Sequence, residues 1–190
     1  PRSTAQVGVN TGQMWRFATT SLYASGDLPV LAAREALQNG IDGIRAGIRK
    51  RITPSGQGVF EILWDSQDRT LTFVDNGIGM TEEVIAQKFL VLGESGKRDD
   101  DSGDQAGGFG MAKAVILGAS RSFRWEMRTQ GLRVVAEGMH KPIAFYDAEY
   151  YQGVKLTLFD IDSTFDYRNV PGKGYQSLTD RLTELLWYTQ

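Results

Sequence analysis

Glu35, Asn39 and Asp42 recur at helical spacing in the stretch REALQNGIDGIRAG, residues 34–47. At about 100° per residue they fall within roughly 60° of one another, so a single helix presents a carboxylate, an amide and a second carboxylate along one ridge. A carboxylate so placed can act as a general base towards water, and an amide oxygen can ligate a hard divalent cation. The plainer alternative is a solvated polar face, where charged side chains usually sit.

Two further segments weigh against that alternative. The first is DNGIGM, residues 75–80, directly after the apolar run LTFV. It places Asp75 at a strand end and follows it with Gly77 and Gly79, which allow backbone angles and close approaches that a Cβ forbids. Asn-Gly is also a common turn dipeptide, so a simple turn stands as the other reading. The second is GGFGMAKA, residues 107–114, a glycine-rich entry into a helix whose free N–H groups and dipole suit a phosphate. Standard phosphate templates fail. In GESGKR the first P-loop glycine would fall on Val91 and the required Ser or Thr on Arg98, and neither glycine cluster has the dinucleotide spacing.

The elements that must position these residues follow from periodicity and breakers. A helix is predicted over 28–50, with Pro29 in its first turn and Asp27 as a cap. Besides its polar ridge it carries an apolar ridge of Leu37, Ile41, Ile44 and Ile48, expected to be the core seam, and a small-residue stripe of Ala36, Gly40, Gly43 and Gly47. Each such glycine costs about 1 kcal/mol against alanine in a helix, which makes sense where something approaches the backbone closely. Residues 59–64 and 70–75 read as a hairpin joined by a polar turn. Thr81 is suited to cap a short helix, and 93–108 is a loop almost bare of apolar side chains. A helix over 110–117, two strands around Gly131 and a strand over 153–161 follow. In the first strand of that pair Phe123, Trp125 and Met127 alternate with Arg124, Glu126 and Arg128. A last helix places Leu178, Leu182, Leu185 and Leu186 on one face. The pattern predicts an α+β fold, a two-layer sandwich with helices on one face of a mixed, largely antiparallel sheet.

Composition narrows the chemistry. With 190 residues, 41% of them hydrophobic, the chain suits one main domain. A net charge of -2 with scattered Lys and Arg gives no footprint for nucleic acid. There are no cysteines, and the single His140 cannot build a histidine metal cluster. No apolar run nears the roughly 20 residues of a membrane span and the start lacks a secretory pattern, so a cytoplasmic protein is expected.

In order and spacing, E-x-x-x-N-x-x-D on a helix, D-x-G-x-G-M after a strand and G-x-F-G at a helix start resemble the nucleotide-binding boxes of the GHKL ATPase superfamily, which includes gyrase, the ninety-kilodalton heat-shock chaperones, histidine kinases and MutL. The segment FLVLGESGKR and the strand GVKLTLFD further resemble the chaperone, MutL and MORC branches. The resemblance implies a Bergerat ATP-binding fold over 28–165 with a lid at 93–108, preceded by an arm over 1–27 and followed by a helix or the start of another domain over 166–190. It implies that ATP is bound and hydrolysed with Mg²⁺, the domain serving as conformational motor of a larger protein. It assigns Glu35 as general base and Asn39 as Mg²⁺ ligand. It makes Asp75 the acceptor of the adenine amino group, with Gly77, Gly79 and Met80 around the ring and Asp42 in support. Gly107, Gly108, Phe109, Gly110 and Met111 would line the phosphates, with Lys97, and less directly Lys113, as the cations. Partners implied are ATP or ADP, a homodimer through the arm, and further domains.

The heat-shock chaperones of the resembled superfamily carry a threonine where this chain has Val154, and Thr157, three residues on, should face the other side of the strand. Base recognition should therefore lean on Asp75. Two alternatives share the pocket: phosphotransfer of the histidine-kinase type, and a nucleotide-binding module without catalysis.

Overall fold

A computed structural model describes residues 28–86, 116, 118–137, 142–170 and 176–187. Helix α1 spans Leu28–Arg49, and the hairpin strands β1 and β2 span Phe60–Asp65 and Thr70–Asp75. A single turn, α2, covers Glu82–Val84; Thr81 caps it by accepting the Val84 N–H on its hydroxyl. Strands β3 (Ser120–Thr129), β4 (Leu132–Glu137), β5 (Ala144–Asp147) and β6 (Val154–Ile161) precede helix α3, Leu178–Trp187. Strand β5 has no counterpart in the sequence reading, since four residues are too few to show a period. Among the described residues no helix is long and apolar enough to cross a membrane.

The six strands form one sheet in the order β1-β2-β6-β3-β4-β5. Every described pairing is antiparallel, where a mixed sheet was expected. Register explains the core. Ile62, Phe73, Leu156, Met127, Val134 and Phe145 stand opposite one another in a row that crosses all six strands. A second row runs Trp64, Leu71, Leu158, Trp125, Ala136. Because side chains alternate along a strand, these rows lie on one face, and Leu71, Trp125, Met127, Val134 and Leu158 are fully buried there.

α1 contacts β1 and β2 but not through the seam expected of it. Leu37, Ile41, Ile44 and Ile48 are only half-buried, whereas Ala32, Ala33, Ala36, Gly40 and Gly47 are buried. The small side chains win because the helix lies almost on the strand end and on the loop after β2. A Cβ at Gly40 would overlap the Phe60 ring, and one at Gly77, in that loop, would stand 2.6 Å from the Ile44 nitrogen. The Ile78 N–H donates to the Gly43 carbonyl at 3.0 Å across this contact. α3 packs against α1, burying Leu178 and Leu182, and Ser177 caps it by accepting the Asp180 N–H at 3.2 Å.

Candidate functional site

Asp75 closes the pattern Leu71, Phe73, Asp75, so strand geometry alone turns its carboxylate to the helix-covered face. It is buried, 8% exposed. Its Oδ1 accepts the N–H of Gly77 at 2.9 Å and of Val154, its register partner on β6, at 3.3 Å. Oδ2 takes no hydrogen bond among the described residues. Burial pushes the carboxyl up from 3.8 to about 6, and the two N–H donors offset part of that rise. The charge also reaches Tyr151, whose phenol is held above its ordinary value first by its own burial and then by Asp75 and Glu61.

The loop that follows is fixed on several sides. The Asn76 side chain accepts the Val59 N–H at 2.8 Å and donates to the Gln57 carbonyl at 2.7 Å. Gln152 donates to the Asn76 carbonyl at 3.0 Å. Gly79 has φ +73, a left-handed conformation that glycine takes without strain. Met80 donates its N–H to Thr129 Oγ1 at 2.8 Å, and Gln130 Nε2 donates to the Ile78 carbonyl at 2.6 Å.

Between this loop, α1 and the sheet lies a cavity of about 90 Å³. Its walls are mostly apolar, from Phe60, Phe73, Met80, Met127, Val154 and Leu156, with Asp75 as the buried ionisable group and Asn39 beside it. Pockets for whole ligands run to roughly 300–1,000 Å³, so the described walls enclose room for one ring system rather than a complete nucleotide. An apolar group carrying a hydrogen-bond donor would match these walls and the carboxylate.

Of the residues assigned to the site from the sequence, Asn39, Asp75, Gly79 and Met80 line this cavity, as do Ala36, Gly40 and Gly43 of the small-residue stripe and Val154. Glu35 sits one turn before Asn39 on α1, half-buried, already engaged in a polar interaction, and off the cavity wall. Asp42 is exposed, with Arg45 Nη1 at 3.9 Å, and does not line the cavity either. Gly77 serves the helix contact instead of the wall. Lys97, Gly107, Gly108, Phe109, Gly110, Met111, Lys113 and His140 lie outside the described residues, as do the arm over 1–27 and the loop over 93–108. Thr157 faces away from the cavity, its hydroxyl 3.1 Å from that of Thr72 on the opposite side of the sheet, as strand alternation requires.

Phe60, Phe73, Met127 and Leu156 were missed as site residues. The signal for Phe73 was available, because it stands two residues before Asp75 on the same strand face. Met127 and Leu156 reach the cavity only through cross-strand register, which no local pattern encodes.

Asn39 is exposed and makes no hydrogen bond among the described residues, so its side-chain oxygen is open to a cation. No group of three or more His, Cys, Asp or Glu side chains able to hold a metal occurs among the described residues. Asn39 thus offers one neutral oxygen, where Mg²⁺ usually takes one or two carboxylates beside phosphate oxygens and its own waters. No family model matches this chain, and no curated protein matches it.

Proposed function

We propose that this chain binds ATP with Mg²⁺ and hydrolyses it in the manner of a GHKL ATPase domain, as a conformational motor within a larger protein. The observation that carries the reading is Asp75: a buried carboxylate at the wall of an apolar, ring-sized cavity, one oxygen held by two backbone N–H groups and the other without a partner among the described residues. A buried acceptor of this kind selects a ligand edge bearing an N–H donor, because any other ligand leaves it desolvated and unpaired. The adenine amino group meets that requirement, and Phe60, Met80 and Val154 supply apolar contact for the ring.

On this reading Asn39 would hold Mg²⁺ through its side-chain oxygen, and the ion when bound neutralises phosphate charge. Glu35 would orient and deprotonate the attacking water. Backbone N–H groups of Gly107, Gly108, Phe109, Gly110 and Met111 and the Lys97 ammonium would receive the phosphates. Asp42, exposed and near Arg45, would act on the adenine side only through water.

A nucleotide-binding module without hydrolysis is the second reading, favoured by one observation: Glu35 does not line the cavity. Calorimetric titration with Mg·ATP and Mg·GTP, followed by phosphate-release assay, tests both. Preference for ATP with phosphate release above background supports the motor, and binding without release supports the module. No binding of either nucleotide sinks both.

A further inference from the structure

Residues 76–81 belong to no helix or strand, so the wall formed by Gly79 and Met80 depends on what its neighbours hold in place. One of these supports comes from 49 residues away, at the end of β3. Thr129 is fully buried and follows Trp125 and Met127 on the core-facing side of β3, where an apolar side chain would continue the pattern. A buried hydroxyl is tolerated only if it is bonded. This one is bonded twice to one residue, accepting the Met80 N–H at 2.8 Å and donating to the Met80 carbonyl at 3.4 Å.

The β3–β4 turn adds a second hold. Gln130 and Gly131 both have positive φ, +42 and +77, as a two-residue hairpin turn requires, and the Gln130 side chain reaches the Ile78 carbonyl at 2.6 Å. The fit is close: a Cβ at Gly79 would stand 2.6 Å from Thr129 Oγ1. The backbone of Gly131 is in turn tied to the segment after β5, accepting the Ala148 N–H at 2.8 Å.

We propose that Thr129 is a positioning residue for the ligand site: its hydroxyl, through both backbone groups of Met80, sets the cavity wall against which the purine ring packs. This rests on the nucleotide reading above. Thr129 does not touch the ligand; it acts by holding Met80 and Gly79.

The test uses the whole chain with Mg·ADP in calorimetric titrations, and amide hydrogen exchange at Met80 without ligand. Thr129→Val keeps the shape and removes the hydroxyl. It should raise the Kd about tenfold and speed Met80 exchange by a similar factor, while Thr129→Ser stays within about threefold of wild type on both. Val170→Ala, buried at its bridge with Gln176 before α3 and off the cavity wall, controls for general loss of stability and should leave the Kd within twofold. A Thr129→Val protein that binds ADP as tightly as wild type overturns the proposal, as does an equal loss in Val170→Ala. Absence of ADP binding by the wild-type chain overturns the nucleotide reading as well, so the two failures are distinguishable.

Discussion

The backbone N–H of Val154 donates to Oδ1 of Asp75 at 3.3 Å, joining two register partners on adjacent strands at the inner wall of the cavity. Val154 thus contributes its main chain and an apolar side chain to that wall. The polar contact falls to Asp75, and the consequences of its burial are measurable.

Stability should fall with rising pH through this group. Asp75 has its carboxyl raised from 3.8 to about 6 in the folded state, so the native protein holds that proton more tightly than the unfolded chain. Its contribution is complete below pH 4 and is lost as pH climbs through 6, an effect on the order of 3 kcal/mol. Urea denaturation of wild type and Asp75→Asn from pH 4 to 7 isolates it: the wild type should lose stability relative to the variant over that window. Parallel curves would remove the burial argument.

Ligand affinity should run in the opposite direction. A donor on the ligand favours the ionised carboxylate, so the Kd for Mg·ADP should tighten between pH 5 and 7 and level off above. Asp75→Asn should weaken ADP at least tenfold, flatten that profile and narrow the preference over inosine diphosphate, whose ring bears a carbonyl at the same edge. An unaltered Kd in the variant places the ring elsewhere.

Glu35→Ala separates chemistry from binding. If Glu35 turns to the water, the variant should bind Mg·ATP as before and release phosphate at least a hundredfold more slowly, within the usual range for loss of a general base. Equal turnover in single-turnover assays would take the role from Glu35.

The helix contact predicts an order of damage. At Gly77 an added Cβ meets the α1 backbone, which cannot yield; at Gly40 it meets the Phe60 ring, which can rotate. Gly77→Ala should therefore lose more stability than Gly40→Ala, by about 1–3 kcal/mol, even before helix propensity favours alanine at position 40. Chemical denaturation decides, and the reverse order would mean that α1 does not lie on the loop as described.

The hairpin of β1 and β2, the alternation of Trp125 and Met127 and the caps at Thr81 and Ser177 involve contacts within a few residues, and the first three were legible from pattern alone. The apolar ridge of α1 misled, because periodicity reports which residues share a face but not which face a close-packed neighbour will claim. The small stripe was the better guide: Gly40 and Gly47 are buried while Ile41 and Ile48 are only half so.

The sequence by itself determined the first helix, the β1–β2 hairpin and the presence of Asp75 at a strand terminus, since these follow from side-chain spacing and backbone permissions along a few residues. Only the tertiary structure decided that Asn39 and Asp75 share a cavity while Glu35 and Asp42 stand off its wall, that β6 inserts between β2 and β3, and that Thr129 holds Met80. Those outcomes depend on register between strands far apart in the chain and on how closely a helix can settle on a loop. Both are set by packing across the whole sheet, where no local period carries the information.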